Sequence, residues 1–180
     1  MKKVSAFTIL ILLGLAFGPL SAVSEEKQPG PPPVTHSKDF ERMKELVGVW
    51  EGKADMGKGM ETSRVSYELT SAGNAILERS DVGKPNEMVT VYHDYNGKLT
   101  LTHYCSLGNQ PHMEVVKSGE GWIEFVLSAK NPGLSSLNET HMHAVKVSFD
   151  GKDSMTQTWT LYEKGAAKAD HTIKFVRVKS

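Results

Sequence analysis

The chain is poor in the features that most readily announce a function. It has one cysteine, Cys105, in 180 residues, so no disulfide can form within it. Cys105 is left as a buried small hydrophobe, an intermolecular thiol or a ligand atom, and burial is the ordinary fate of a free cysteine. There is no block of one charge: 21 Lys and Arg stand against 21 Asp and Glu. The electrostatic case for a nucleic acid or an anionic membrane surface is therefore missing. The one long apolar run, residues 6–17, is short for a bilayer span and ends at Gly18-Pro19. Beyond Gly48 no window sustains a helical period, which leaves β-structure to form the core.

What is present divides the chain into three parts. Lys2 and Lys3, the apolar run, and the small residues Ser21, Ala22 and Ser24 read as a secretory signal over residues 1–24. An uncleaved anchor is the alternative. No cysteine lies near the cleavage region, which argues against a lipid anchor. Cleavage leaves 19 basic against 21 acidic residues, a net of −2. Residues 25–38 are polar and proline-rich and read as an extended, disordered tether. Residues 39–180 have the length of one domain with a single core. The expected location is the periplasm or the extracellular space, with no stable membrane insertion after cleavage.

One helix is signalled: Ser37 can cap it, Phe40, Met43, Leu46 and Val47 recur at helical spacing, and Gly48 stops it. Ten short alternating runs follow, at 49–56, 62–71, 75–82, 87–95, 98–105, 110–117, 121–129, 140–149, 154–163 and 170–179. Turn residues separate them, apart from one longer loop at 130–139. Ten antiparallel strands on short turns twist toward each other, and closure removes both edges. The predicted fold is all-β, a roughly ten-stranded up-and-down barrel with one N-terminal helix, wide enough to enclose one small ligand.

Asn96-Gly97 is the clearest local signal, because it sets a two-residue hairpin and with it the register. It pairs Tyr95 with Lys98, Thr90 with His103 and Met88 with Cys105. The face carrying Met88, Thr90, Tyr92, Leu99, Leu101, His103 and Cys105 is read as interior, and His93 then points outward. In the other runs Val65, Tyr67 and Leu69 share a face, as do Ile123, Phe125 and Leu127. His141, His143, Val145, Val147 and Phe149 form another set, and Met155, Gln157, Trp159 and Leu161 a further one. The last run aligns His171, Ile173, Phe175 and Arg177.

The segment around Trp50, Leu46-Val47-Gly48-Val49-Trp50-Glu51-Gly52, resembles the Gly-x-Trp signature of the calycin superfamily, which includes lipocalins, fatty-acid-binding proteins and nitrobindin-like heme barrels. Residues 39–180 also look like exported bacterial proteins that share the run through His93, Cys105 and Pro111. The resemblance implies that Trp50 closes the barrel floor and stacks on Arg177, a cation–π contact between first and last strands. It also implies heme as a possible cofactor, with His171 the one candidate in the last strand. The Asp55–Met60 stretch departs from the glycine-rich turn ending in Tyr-Pro that nitrobindin-like barrels carry.

An interior of this kind is apolar and aromatic with a few polar groups, the usual make-up of a small-molecule pocket. The candidate ligand-binding residues are Tyr67, Tyr92, His103, Cys105, Asn109, Gln110, Phe125, His141, His143, Gln157 and Trp159. Asn109 and Gln110 enter through the turn at 108–111, whose amides could bind a ligand or their own backbone. His103 with Cys105, and His141 with His143, have spacings that suit metal ligands, and the metal or heme candidates are His103, His143 and His171. Hydrogen-bonded histidines at a cavity wall are the plainer reading. No catalytic set is legible: His103 and Cys105, two apart on a strand, stand about 7 Å apart, too far for direct proton transfer. His36, in the tether, and His93 are expected to be solvated. The expected function is an exported barrel that carries, scavenges or senses a small apolar ligand. A heme or metal barrel handling reactive oxygen or nitrogen species, and a solidly packed envelope interaction protein, are the alternatives.

Overall fold

Ser37 opens the helix as the sequence implies. It has extended backbone, and its Oγ accepts from the Phe40 N–H, capping helix α1 (Lys38–Lys44). The computed structural model describes residues 34–55, 59–131 and 133–179. The residues read above as a signal, 1–24, and most of those read as a tether, 25–33, lie outside them, as do 56–58, Pro132 and Ser180. After α1 come ten strands: β1 (Gly48–Asp55), β2 (Met60–Thr70), β3 (Ala75–Ser80), β4 (Met88–Tyr95), β5 (Lys98–Tyr104), β6 (His112–Gly119), β7 (Trp122–Leu127), β8 (His141–Gly151), β9 (Ser154–Glu163) and β10 (Ala166–Arg177). Each pairs antiparallel with its neighbours in sequence, and β1 pairs with β10, which closes the barrel.

Several boundaries differ from the sequence reading for local reasons. The helix is shorter, because Leu46 and Val47 bond back only three residues, to Met43 and Lys44. Strand β3 ends at Ser80 because Asp81 turns left-handed, with φ 54°. Strand β10 begins four residues earlier than expected and ends at Arg177. The tether reading fails at its C-terminal end. His36 stacks on Phe40 with ring centroids 4.2 Å apart and lies 3.5 Å from Asp94, so it is packed rather than solvated. Ser37 donates through both N and Oγ to Asp94 at the end of β4, at 2.6 Å each.

Helix α1 plugs one end of the barrel, burying Phe40 and Met43 against a core that includes Trp50, Val65, Leu99, Leu101 and Met155. The seam beside it is narrow, with only three paired positions between β1 and β10. There Trp50 lies opposite Arg177, whose guanidinium sits 4.1 Å from the indole centroid. The expected cation–π contact is present. Arg177 also donates to the carbonyls of Val47 and Glu45, both at 2.7 Å, at the C-terminal end of α1. Such terminal carbonyls have no partner within a helix. Gly48 makes room for this clamp: its φ is +131°, and a Cβ there would lie 2.8 Å from Arg177 Nη1. Gly52 serves the same seam, since a Cβ would approach the Lys174 carbonyl oxygen to 2.5 Å. Gly52→Val is therefore expected to cost about 2–3 kcal/mol by overpacking, read as a lower urea midpoint. An unchanged midpoint would mean the seam relaxes freely.

Candidate functional site

The hairpin register fixes the first wall. Strands β4 and β5 pair Tyr95 with Lys98 and Thr90 with His103, and the ladder stops at Val89 with Tyr104, one step short of Met88 and Cys105. Thr90, Tyr92, Leu99, Leu101 and His103 are all buried, so the face taken as interior is interior. From the far side of the lumen β9 contributes Gln157 and Trp159. The His103 and Trp159 rings meet there, 4.7 Å apart and tilted by 41°. It is β5 and β9, not β5 and β8, that bring polar side chains together.

Beneath this contact runs a polar bar across the barrel. Tyr92 Oη donates to Glu78 Oε2 at 2.5 Å, and Gln157 Nε2 donates to the Tyr67 hydroxyl oxygen at 2.5 Å and to both Glu78 oxygens at 3.3 Å. Trp159 Nε1 donates to Gln157 Oε1 at 3.3 Å and links the bar to the rings above. Glu78 is 1% exposed. Burial pushes its carboxyl above the ordinary value, and the bonds from Tyr92, Gln157 and Tyr67 pull it the other way. The Tyr67 and Tyr92 phenols are driven well above theirs, first by burial and then by the nearby Glu78 charge. Below the bar Tyr92 packs edge-on against Phe125, with centroids 5.8 Å apart, and the lumen is filled.

Above the bar it is open. A cavity of about 440 Å³ runs from the bar to the mouth. Its lower wall is Met88, His103, Met142, Gln157, Trp159, His171, Ile173 and Phe175, and its mouth is Glu61, Ser63, Ser80, Asp81, Lys84 and Asn86. His103 is its most informative group. Its Nδ1 lies 2.9 Å from Thr90 Oγ1, and its Nε2 is buried with no partner among the described residues. Burial lowers the His103 pKa to about 4, so the ring is neutral at physiological pH.

The remaining candidates divide. Tyr67, Tyr92 and Phe125 belong to the bar and the packed floor and do not line the cavity. Gln157, Trp159, His103 and His171 do. Cys105 is buried at the end of β5 outside the cavity lining, and burial raises its thiol pKa. Asn109 donates to Glu139 Oε1 and to the Thr140 carbonyl, at 3.2 and 2.9 Å, and Gln110 donates to the Gly108 carbonyl at 3.2 Å. The side-chain N–H groups of that turn are thus taken up at the rim, Asn109 Oδ1 is buried with no partner among the described residues, and both residues line a separate polar surface groove with Gly133, Ser135 and Glu139.

His141 and His143 move to the other face. A bulge between Met142 and Ala144 inserts one residue into β8, so Val145 still opposes Trp159 while His141 opposes Tyr162. Met142 turns into the cavity instead. His143 stacks on Tyr162 at 3.7 Å, and its Nδ1 lies 3.1 Å from His141 Nε2. His141 Nδ1 donates to the Glu139 carbonyl at 2.7 Å. Burial and the neighbouring His141 lower the pKa of His143. Among the described residues no group of three His, Cys, Asp or Glu side chains is placed to hold a metal ion. His93 is half-buried on the outer face, with Nδ1 3.2 Å from the Asp94 carbonyl.

Glu78, Thr90 and Met142 are among the site residues not picked out from the sequence, as are the mouth residues Ser63, Asp81, Lys84 and Asn86. Glu78 alternates with Ile76 and Ser80 in β3, and one acid amid an inward-facing row was the available signal.

The protein is thus a closed ten-stranded antiparallel barrel with a packed floor and an internal cavity toward its mouth. No family model and no curated protein matches the chain. Among solved structures it is similar to a protein of unknown function from the DUF3598 family of Nostoc punctiforme, with a TM-score of 0.51 and 13% identity over 76% of this chain. The match takes in 49% of that protein, so this chain spans about half its length. It is also similar to Rv2717c from M. tuberculosis, with a TM-score of 0.50 and 13% identity, covering 81% of this chain and 100% of that one. At such identities the likeness is one of fold.

Proposed function

We propose that this is an exported, calycin-like barrel that takes one small, mainly apolar molecule into its upper lumen and acts as a carrier, scavenger or sensor without catalysis. The observation that carries the reading is the cavity of about 440 Å³ bounded by Met88, Met142, Trp159, Ile173 and Phe175 above a filled floor. Apolar walls with a few placed polar groups are the usual form of a small-molecule site. On the same reading residues 1–24 are a cleaved export signal and 25–33 a tether ahead of the barrel.

A heme is the second reading, because the free Nε2 of His103 or the imidazole of His171 offers an axial ligand in the same cavity. The rest of the lining fits that group poorly. Two heme propionates would meet Glu61, Asp81 and the underlying Glu78, and the one ammonium in the lining, Lys84, is already held by Glu61 and Asp81 at 3.9 and 3.3 Å.

The direct test is a neutral apolar dye, N-phenylnaphthylamine, whose emission rises in an apolar site. Wild-type protein is expected to bind it, while Ala54→Phe and, separately, Met142→Trp fill the cavity and weaken binding at least about tenfold. Circular dichroism checks that each variant folds. Equal binding by a folded, filled variant would place the dye elsewhere and remove the cavity reading.

A further inference from the structure

The cavity has a polar end whose chemistry narrows what it accepts, and this step rests on the cavity reading above. His103 is 2% exposed, and its Nε2 has no partner among the described residues. Buried polar atoms are almost always paired, and one that is not incurs a desolvation cost that a ligand can remove. Thr90 Oγ1 holds the opposite ring nitrogen, and Trp159 covers one side of the ring, so the imidazole is fixed before any ligand arrives. His103 lines the cavity together with Met142, Trp159 and His171.

Among its lining residues two carboxylates, Glu61 and Asp81, stand against one ammonium, Lys84. Asp81 is buried at the mouth, where it accepts from Ser63 Oγ at 3.2 Å and from Asn86 Nδ2 at 3.1 Å. Glu61 lies at the same rim, and Glu78 lies in the bar beneath the cavity with no cation among its described partners. Lys84 Nζ is occupied: it donates to the Thr62 carbonyl at 2.7 Å besides its two carboxylates. A carboxylate drawn into this space would lose its water and find neither a guanidinium nor a free ammonium.

We propose that the ligand's polar group is an uncharged hydroxyl, as in an alcohol or a phenol, hydrogen-bonded to His103 Nε2, and that carboxylate-bearing apolar molecules are rejected. A hydroxyl suits the site whichever nitrogen carries the ring proton. It donates to Nε2 when Nδ1–H is bonded to Thr90, and it accepts from Nε2–H when Thr90 donates instead. A neutral imidazole in an apolar wall matches a neutral partner, and its low pKa keeps it so. The apolar remainder of the ligand lies along Met88, Ile173 and Phe175.

The test displaces N-phenylnaphthylamine from the folded protein with three molecules of one shape: para-butylphenol, para-butyltoluene and para-butylbenzoate. The phenol is expected to compete roughly three- to tenfold more tightly than the toluene, the worth of one net hydrogen bond, and by a wider margin than the benzoate. His103→Leu removes the advantage over the toluene, and His103→Gln, a neutral amide, keeps it. Benzoate competing as well as phenol overturns the proposal, and so does a phenol advantage that survives His103→Leu. If the dye binds and Ala54→Phe blocks it but the phenol has no advantage, the cavity stands and the head-group assignment falls. If the dye does not bind in the cavity at all, both fall together.

Discussion

Replacing Arg177 with methionine is expected to lower stability by about 3 kcal/mol, seen as a drop in urea midpoint at unchanged slope. Two charge-assisted hydrogen bonds, to the Glu45 and Val47 carbonyls, are worth roughly 1.5–3 kcal/mol each when well made. The contact with Trp50 adds about 0.5–2 kcal/mol. These sums are discounted because the Arg177 side chain is 23% exposed and water can partly replace it. The 3.4 Å ion pair with Asp153 at the surface contributes little. Methionine keeps the aliphatic stem, so what is lost is the guanidinium. Lysine cannot bridge two carbonyls and stack at once, and Arg177→Lys is expected to recover less than half. A cycle with Trp50→Leu should show a coupling of about 1 kcal/mol. Strict additivity would mean that the two groups touch without supporting each other. A stable Arg177→Met protein would show that α1 holds the floor alone. The seam matters for binding because a closed floor leaves the mouth as the way in.

Acid should weaken the fold over a window set by His103. Its pKa is 6.5 in an unstructured chain and about 4 when folded, so the unfolded chain takes up the proton first as pH falls. The stabilisation is complete above pH 6.5 and drains away as pH falls toward 4. The full shift corresponds to about 3 kcal/mol. Glu78 has the opposite sign. Its folded pKa is raised, so its contribution is present below the ordinary carboxylate value and is lost as pH rises through the folded one. His103→Leu should therefore flatten the acid limb of the stability profile, and Glu78→Gln should raise the limb toward neutral pH. Urea midpoints measured from pH 4 to pH 8 separate the two. A wild-type acid limb that survives His103→Leu unchanged would assign it to other groups.

Much of the frame was legible because it is set by local chemistry. Asn96 and Gly97 both take positive φ, 53° and 73°, the conformation that a two-residue hairpin demands, so the Thr90–His103 pairing followed from the sequence alone. Trp50 and Arg177 were legible for a different reason, their resemblance to a known pair of positions. His141 and His143 were misplaced because alternation assumes an unbroken ladder. One inserted residue reverses the faces beyond it, and whether β8 bulges depends on how β9 pairs with it. Glu78 was missed for a related reason. A carboxylate in a strand reads as solvated unless Tyr67, Tyr92 and Gln157, from three other strands, converge on it.

The amino-acid order by itself determined that the described residues form one α-helix and ten strands, which strands are neighbours, and which side of the Asn96-Gly97 hairpin is buried. Turn residues, side-chain period and a helix cap act over a few residues and need no distant partner. Only the closed barrel decided that His103 would meet Trp159 rather than His141, that Glu78 would lie in an apolar interior, and that the lumen would fill at one end and stay open at the other. Those outcomes depend on groups from strands far apart in sequence being brought within a few ångströms, where burial changes both their charge and what they can bind.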